Sequence, residues 1–132
     1  MTTEFTGGCL CGGVRYIARG PVINARVCHC RLCQKVIGAA FNARLLFPRD
    51  AVEVGGEVRE IATSDAINRG FCPNCGTTVY SHRHAAGVIG LTVGGLDDPS
   101  VFKPEAHIFV ESRQPWVLLD PDVPAYPGPA PA

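Results

Sequence analysis

At 132 residues, 46% hydrophobic and 18% charged, the chain has the size and balance of one folded domain with a real core. Its twelve basic and twelve acidic residues cancel, so no charge excess points to nucleic acid or another polyanion as partner. The longest uncharged apolar stretch, residues 85–96, is too short and too glycine-rich to span a bilayer, and residues 1–5 lack the basic start and apolar run of a signal peptide.

A cytoplasmic protein without membrane contact is the resulting expectation. Fifteen glycines and eleven prolines predict many turns and short strands rather than long helices. In chain order, residues 7–13 read as a turn carrying Cys9 and Cys11, with glycines on both sides that let the backbone close around a metal. Residues 14–19 have strand character and stop at Gly20-Pro21, and residues 22–28 form a second strand ending at Cys28. Alternation along an extended chain puts Cys28 and Cys30 on one face and aims His29 away. Residues 31–37 loosen into one or two helical turns ended by Gly38, with Cys33 in the first turn, where free N–H groups favour a thiolate.

Residues 41–47 predict a further strand closed by Pro48, and residues 51–54 and 57–61 a hairpin around Gly55-Gly56. The knuckle Cys72-Pro-Asn-Cys-Gly76 follows, then strands at 77–82, 87–93 and 107–110. Prolines at 121, 124, 127, 129 and 131 make residues 120–132 an extended or disordered tail. The predicted organisation is a single mainly β domain at 1–119, with short helical turns, followed by that tail.

Chemistry concentrates in seven cysteines, grouped as Cys9/Cys11, Cys28/Cys30/Cys33 and Cys72/Cys75. In a reducing compartment such clusters mean metal more often than disulfides, and closely spaced Cys-x-Cys pairs are poorly placed for disulfide geometry. Four thiolates close a tetrahedral zinc site, whereas three leave a position open for water or substrate. The knuckle offers two ligands, and Cys9 and Cys11 supply the missing pair. That site would clamp a loop of about 60 residues, at an entropy far below the binding energy of structural zinc. Cys28, Cys30 and Cys33 are left as an open, reactive site, so two zinc ions per chain are expected. With its thiolates metallated the chain carries a net charge near −3, about −2 from the closed site and about −1 from the open one.

Other readings stand beside this one. The knuckle can be a redox dithiol, though the βαβ context is lacking. Cys9 and Cys11 can join the 28–33 group instead. His29, His82, His84 or His107 can close the second site as a fourth ligand, and an iron–sulfur cluster is a further option. An open three-thiolate zinc suits thiol chemistry, because it binds a substrate thiol and lowers its pKa. The negative charge of that site calls for cations, with Arg31, Lys35 and Arg69 as candidates, each also readable as an ordinary solvated charge. His82 and His84 share a strand face with Tyr80 and are candidates for lining a pocket.

The residues at 8–16 (Gly-Cys-Leu-Cys-Gly-Gly-Val-Arg-Tyr), 28–33 (Cys-His-Cys-Arg-Leu-Cys) and 70–77 (Gly-Phe-Cys-Pro-Asn-Cys-Gly-Thr) resemble the family of glutathione-dependent formaldehyde-activating enzyme and centromere protein V. Gly-Leu-Asp-Asp-Pro at 95–99, Ala-His-Ile at 106–108 and Pro-Trp at 115–116 extend the likeness to all but the proline tail. The resemblance implies a β-tent of antiparallel sheets assembled around zinc. It implies a structural site at Cys9, Cys11, Cys72 and Cys75, and a catalytic one at Cys28, Cys30 and Cys33. The implied activity is that of a carbon–sulfur lyase of the S-hydroxymethyl-thiol synthase type, the reversible addition of a thiol such as glutathione to formaldehyde. The expected partners are therefore a small thiol and a small aldehyde. The alternative is a non-catalytic zinc module, either a thiol or aldehyde carrier or a protein-interaction domain. Oligomeric state is not legible in the residues.

Overall fold

The computed structural model describes residues 3–131 and is mainly β. Its strands are β1 (Glu4–Gly8), β2 (Arg15–Arg19), β3 (Asn24–Cys28), β4 (Asn42–Pro48), β5 (Val52–Gly55), β6 (Arg59–Ala62), β7 (Asn68–Phe71), β8 (Thr78–Arg83), β9 (Val88–Thr92) and β10 (Ala106–Ile108). A single α-helix, α1 (Arg31–Ile37), and four 3-10 turns complete the described elements. Two sheets result. The smaller runs β1-β2-β5 and the larger β10-β3-β4-β9-β8-β7-β6.

Hydrophobic burial against the smaller sheet fixes one face of the larger one. Tyr16, Phe47, Ile89 and Leu91 are at most 1% exposed and centre that core, with Phe5 edge-on to Phe47 at 5.5 Å. The opposite face of the larger sheet turns toward α1 and the later chain, and Cys28, Cys33 and Ile108 form a second apolar cluster there. Side chains alternate along each strand, so every strand of this sheet feeds both faces.

Two sequence expectations are corrected. The segments at 51–54 and 57–61 do not form a hairpin: β5 pairs with β2 in the small sheet, whereas β6 pairs with β7 in the large one. Gly56, at φ +93°, lies so close to Gly13 that a Cβ would stand 1.9 Å from the Gly13 carbonyl oxygen, so the glycine pair marks a departure between sheets rather than a tight turn. The sheets are not wholly antiparallel, because β10 runs parallel to β3 with Ile108 opposite Cys28. Residues 121–131 run extended, one of the two alternatives read from the prolines, and backbone hydrogen bonds hold them: His107 N–H donates to the Pro124 carbonyl at 2.8 Å, Tyr126 N–H to the His107 carbonyl at 2.9 Å, and Phe109 N–H to the Gly128 carbonyl at 2.9 Å. Tyr126 and Ala130 thereby pack against the Cys28–Cys33 cluster.

Candidate metal and thiol centre

Cys9 and Cys11 sit in the turn between β1 and β2, and Cys72 and Cys75 in the turn between β7 and β8. Their four sulfurs lie within 4.8 Å of one another. Backbone donors surround them as they surround thiolates: Val14 N–H reaches Cys9 Sγ at 3.2 Å and Gly13 N–H reaches Cys11 Sγ at 3.4 Å. Gly76, at φ +79°, turns the knuckle so that its N–H meets the Cys72 carbonyl at 2.8 Å. Thr77 joins the two turns, accepting Leu10 N–H at 3.1 Å and standing 3.2 Å from Cys75 Sγ. Hydrogen bonds from the Thr77 side chain and backbone pull the Cys75 thiol down to about 5.

Sulfurs around a tetrahedral ion with 2.3 Å bonds stand about 3.8 Å apart. Cys9 to Cys11 is 3.6 Å and Cys11 to Cys72 is 3.7 Å. None of the seven cysteines is in a disulfide. The donor set and its spacing therefore fit a closed four-sulfur metal site.

Cys28 ends β3, Cys30 caps α1 and Cys33 lies one turn on, and their sulfurs also fall within 4.8 Å of one another. The Cys30 sulfur accepts the Cys33 N–H at 3.3 Å, the role a serine or aspartate plays at most helix starts. Gln34 anchors the segment. Its amide nitrogen donates to the carbonyls of His29 at 2.6 Å and Ser112 at 2.9 Å, and its oxygen accepts from Gln114 at 2.6 Å and from Arg31. His29 is fully buried and turned to His107, with Nε2 2.9 Å from Nδ1 of that ring. Neither histidine belongs to the three-sulfur group.

The three sulfurs border a cavity of about 230 Å³, walled by Leu32, Leu46, Ile67, Ile108 and Phe109. Phe109 is the one described non-glycine residue at positive φ, 56°, a conformation that costs energy, and it lines the cavity. Three arginines, Arg44, Arg69 and Arg83, line the same space. Arg69 is 3% exposed and donates Nη2 to Cys33 Sγ at 3.5 Å, while Arg44 donates to Asn24 Oδ1 at 2.9 Å. Gly90, between Ser81 and Leu46 in register, leaves room for the Arg44 side chain, which a Cβ would meet at 3.0 Å. The neighbouring Cys28 thiol, and then Arg69, bring Cys33 down to about 5 against the effect of burial, and the same pairing with Cys33 pushes Cys28 up.

Of the five residues singled out from sequence to offset charge or line a pocket, the fold brings Arg69 to the sulfurs. Arg31 and Lys35 lie on the outer side of α1, beside a shallow groove with Trp116. His82 and His84 alternate with Ser81 and Arg83, which line the cavity, and so face the other side of β8. Arg44, Asn42 and Ser81 were not anticipated. Each lies in an unremarkable strand, and only the pairing of β3, β4, β9 and β8 brings them together. A larger, more open groove of about 690 Å³ passes Cys9, Leu10 and the Arg15–Asp97 pair, but no second nucleophile converges on it.

The family model for glutathione-dependent formaldehyde-activating enzyme matches residues 4–112. The chain belongs to that family. An uncharacterized lyase of Schizosaccharomyces pombe is 32% identical over 77 residues, a match covering 58% of this chain and 56% of the relative, so the chain spans about half the length of that relative. In structure, a Rhodobacter sphaeroides protein solved by a structural genomics programme superposes with a TM-score of 0.55 at 17% identity, covering 92% of this chain and 98% of that one, which shows a shared fold. No described helix is long and apolar enough to cross a membrane.

Proposed function

We propose that the protein is a zinc-dependent carbon–sulfur lyase that adds a small thiol to a small aldehyde and reverses that addition, with Cys28, Cys30 and Cys33 as its reactive site and Cys9, Cys11, Cys72 and Cys75 as a structural one. The observation that carries this reading is three undisulfided sulfurs opening on an enclosed cavity with a buried arginine at their edge. Zinc held by three sulfurs would supply Lewis acidity and hold a visiting thiol as thiolate at neutral pH. In the reaction a sulfur–carbon bond forms, the carbonyl π bond opens, and the proton leaving the thiol ends on the new hydroxyl oxygen. The reverse direction breaks the same carbon–sulfur bond.

The protein's own groups serve charge and water exclusion. Arg69 and Arg44 offset the negative charge of clustered thiolates, which would otherwise repel an incoming thiolate. Leu32, Leu46, Ile67 and Phe109 keep the space dry, so those charges act at short range in a weakly screening medium. The four-sulfur site joins turns far apart in sequence and does no chemistry.

The test is metal content measured beside adduct formation across a panel of small thiols with formaldehyde. Wild type is expected to hold two zinc ions per chain and to accelerate adduct formation. Cys30→Ser should keep its circular dichroism and one zinc while losing the acceleration. An unchanged rate in Cys30→Ser, or no rate effect of wild type with any thiol, overturns the reading.

A further inference from the structure

On the face of β8 turned away from the thiol cavity, a second kind of donor set is assembled. Glu60, His82 and His84 bring one carboxylate oxygen and two ring nitrogens within 4.8 Å of one another. We propose that these three side chains form a separate divalent-metal site, of the two-histidine, one-carboxylate type, which takes Zn2+ or a similar borderline ion.

The cluster is a product of sheet register. His82 lies on β8 and His84 opens the turn that follows it, and their rings stand 3.7 Å apart. Glu60 comes from β6, with β7 between. The β7 residue in register with both Glu60 and Tyr80 is Gly70. A Cβ there would lie 2.4 Å from Tyr80 Cζ, so its absence lets the tyrosine ring cross β7 and donate its hydroxyl to Glu60 Oε2 at 2.7 Å. Asn68 Nδ2 donates to Oε1 at 3.2 Å. The same Asn68 nitrogen stands 3.1 Å from His84 Nε2, so it bridges ring and carboxylate, and the carboxylate is held by two neutral donors, the support that metal-ligating carboxylates commonly have.

The spacing suits an ion. Donors bonded at about 2.1 Å to a tetrahedral zinc stand about 3.4 Å from each other. Glu60 Oε2 is 3.4 Å from His82 Nδ1, and Glu60 Oε1 is 3.1 Å from His84 Nε2. The His82 side chain is 10% exposed and that of His84 is 57% exposed, so the cluster has a rigid inner wall and an open side for entry and for a water ligand. Imidazole and carboxylate select a metal of zinc's type, and three protein ligands with a vacancy distinguish the site from the four-sulfur cluster. This inference does not depend on the chemistry proposed at the thiol cavity.

The test uses full-length protein with its cysteine clusters zinc-loaded, titrated with Co2+. Wild type should bind one additional ion, with visible d–d absorption and without the thiolate-to-cobalt charge-transfer bands of a cysteine site. His84→Ala and Glu60→Gln should each weaken that binding at least about tenfold, with circular dichroism and cysteine-cluster zinc unchanged. If zinc already occupies the site on purification, wild type should carry one more zinc than His84→Ala. His84 is largely exposed, so that variant decides the matter even if Glu60→Gln is unstable. Equal cobalt affinity in wild type and His84→Ala overturns the proposal. So does the absence of saturable binding up to about 1 mM together with equal zinc content.

Discussion

Arg69 reaches across the sheet from β7 to place its Nη2 3.5 Å from the sulfur of Cys33, 36 positions earlier in the chain. Both groups are buried, at 3% and 6% exposure, so the contact is a charge-assisted hydrogen bond in a weakly screening place. Such bonds are worth about 1.5–3 kcal/mol, or roughly tenfold to a hundredfold in rate if the charge is needed in the transition state. Arg69→Met should therefore lower kcat/KM for adduct formation by about that factor while zinc content is retained. Arg69→Lys should recover part of it. Wild-type kinetics in Arg69→Met would remove the arginine from the mechanism.

The two sulfur clusters should part company under a chelator. Three ligands hold a metal less firmly than four, and the three-sulfur group borders a cavity. Stepwise chelation should first remove one metal and the activity, leaving the circular dichroism intact, and then remove the second with unfolding. Cys72→Ser should cost several kcal/mol, because binding energy at the joined turns is folding energy. Simultaneous loss of both metals, followed by spectroscopy and metal analysis in the same samples, would contradict separate roles.

Backbone approach makes a sharper test of packing. At Gly56 a methyl group would stand 1.9 Å from a carbonyl oxygen at φ +93°, so Gly56→Ala should destabilise by more than about 3 kcal/mol. Gly87, at φ +65°, has open space around it, and Gly87→Ala should cost only about 1 kcal/mol for the left-handed backbone. Denaturation midpoints of the two variants check the order. A similar cost for both would mean that the contact at Gly13 relaxes easily.

Acid should expose the clasp between Arg15 and Asp97. The guanidinium meets Asp97 Oδ1 at 2.9 Å and Oδ2 at 2.5 Å, and Thr6 donates its hydroxyl to Oδ2 at 2.7 Å. The Arg15 hydrogen bonds, then that of Thr6, hold the carboxyl at about 2. A depressed folded-state pKa contributes stability above the ordinary carboxylate pKa, near 4, and loses it as pH falls toward 2. The stability gap between wild type and Asp97→Asn should narrow from pH 5 to pH 3, and added salt should shrink it at pH 5, because both side chains are about half exposed. A gap that is constant with pH would dissociate Asp97 from the clasp.

Local chemistry was more legible than long-range pairing. The helix predicted over residues 31–37 is α1 with Gly38 at φ +72° as its cap, because a left-handed C-terminal glycine and a preceding cap residue are signals contained in the segment itself. The Cys28, Cys30 and Cys33 group was readable for the same reason, whereas joining Cys9 and Cys11 to Cys72 and Cys75 rested on the four ligands a closed zinc site needs. Strand partners were not. Alternating side chains at 51–54 and 57–61 specify that each segment is half-buried, but not which strand it joins, and the Gly-Gly between them served equally well to send the chain into another sheet. Strand β7, Asn68–Phe71, carries one arginine inward and one glycine under Tyr80, a pattern with no hydrophobic period to announce it. Arg44, Asn42 and Glu60 escaped notice because their roles exist only after β4, β6, β8 and β9 are aligned.

One strand thus carries two chemistries back to back. Ser81 and Arg83 look into the sulfur-lined cavity, and Tyr80, His82 and His84 look toward Glu60. Because the side-chain period is two, a single inserted or deleted residue within β8 would trade one set for the other and ruin both at a stroke, whereas point substitutions could retune either without touching its neighbour. For anyone redesigning this domain, β8 is the place where spelling may change but spacing must not.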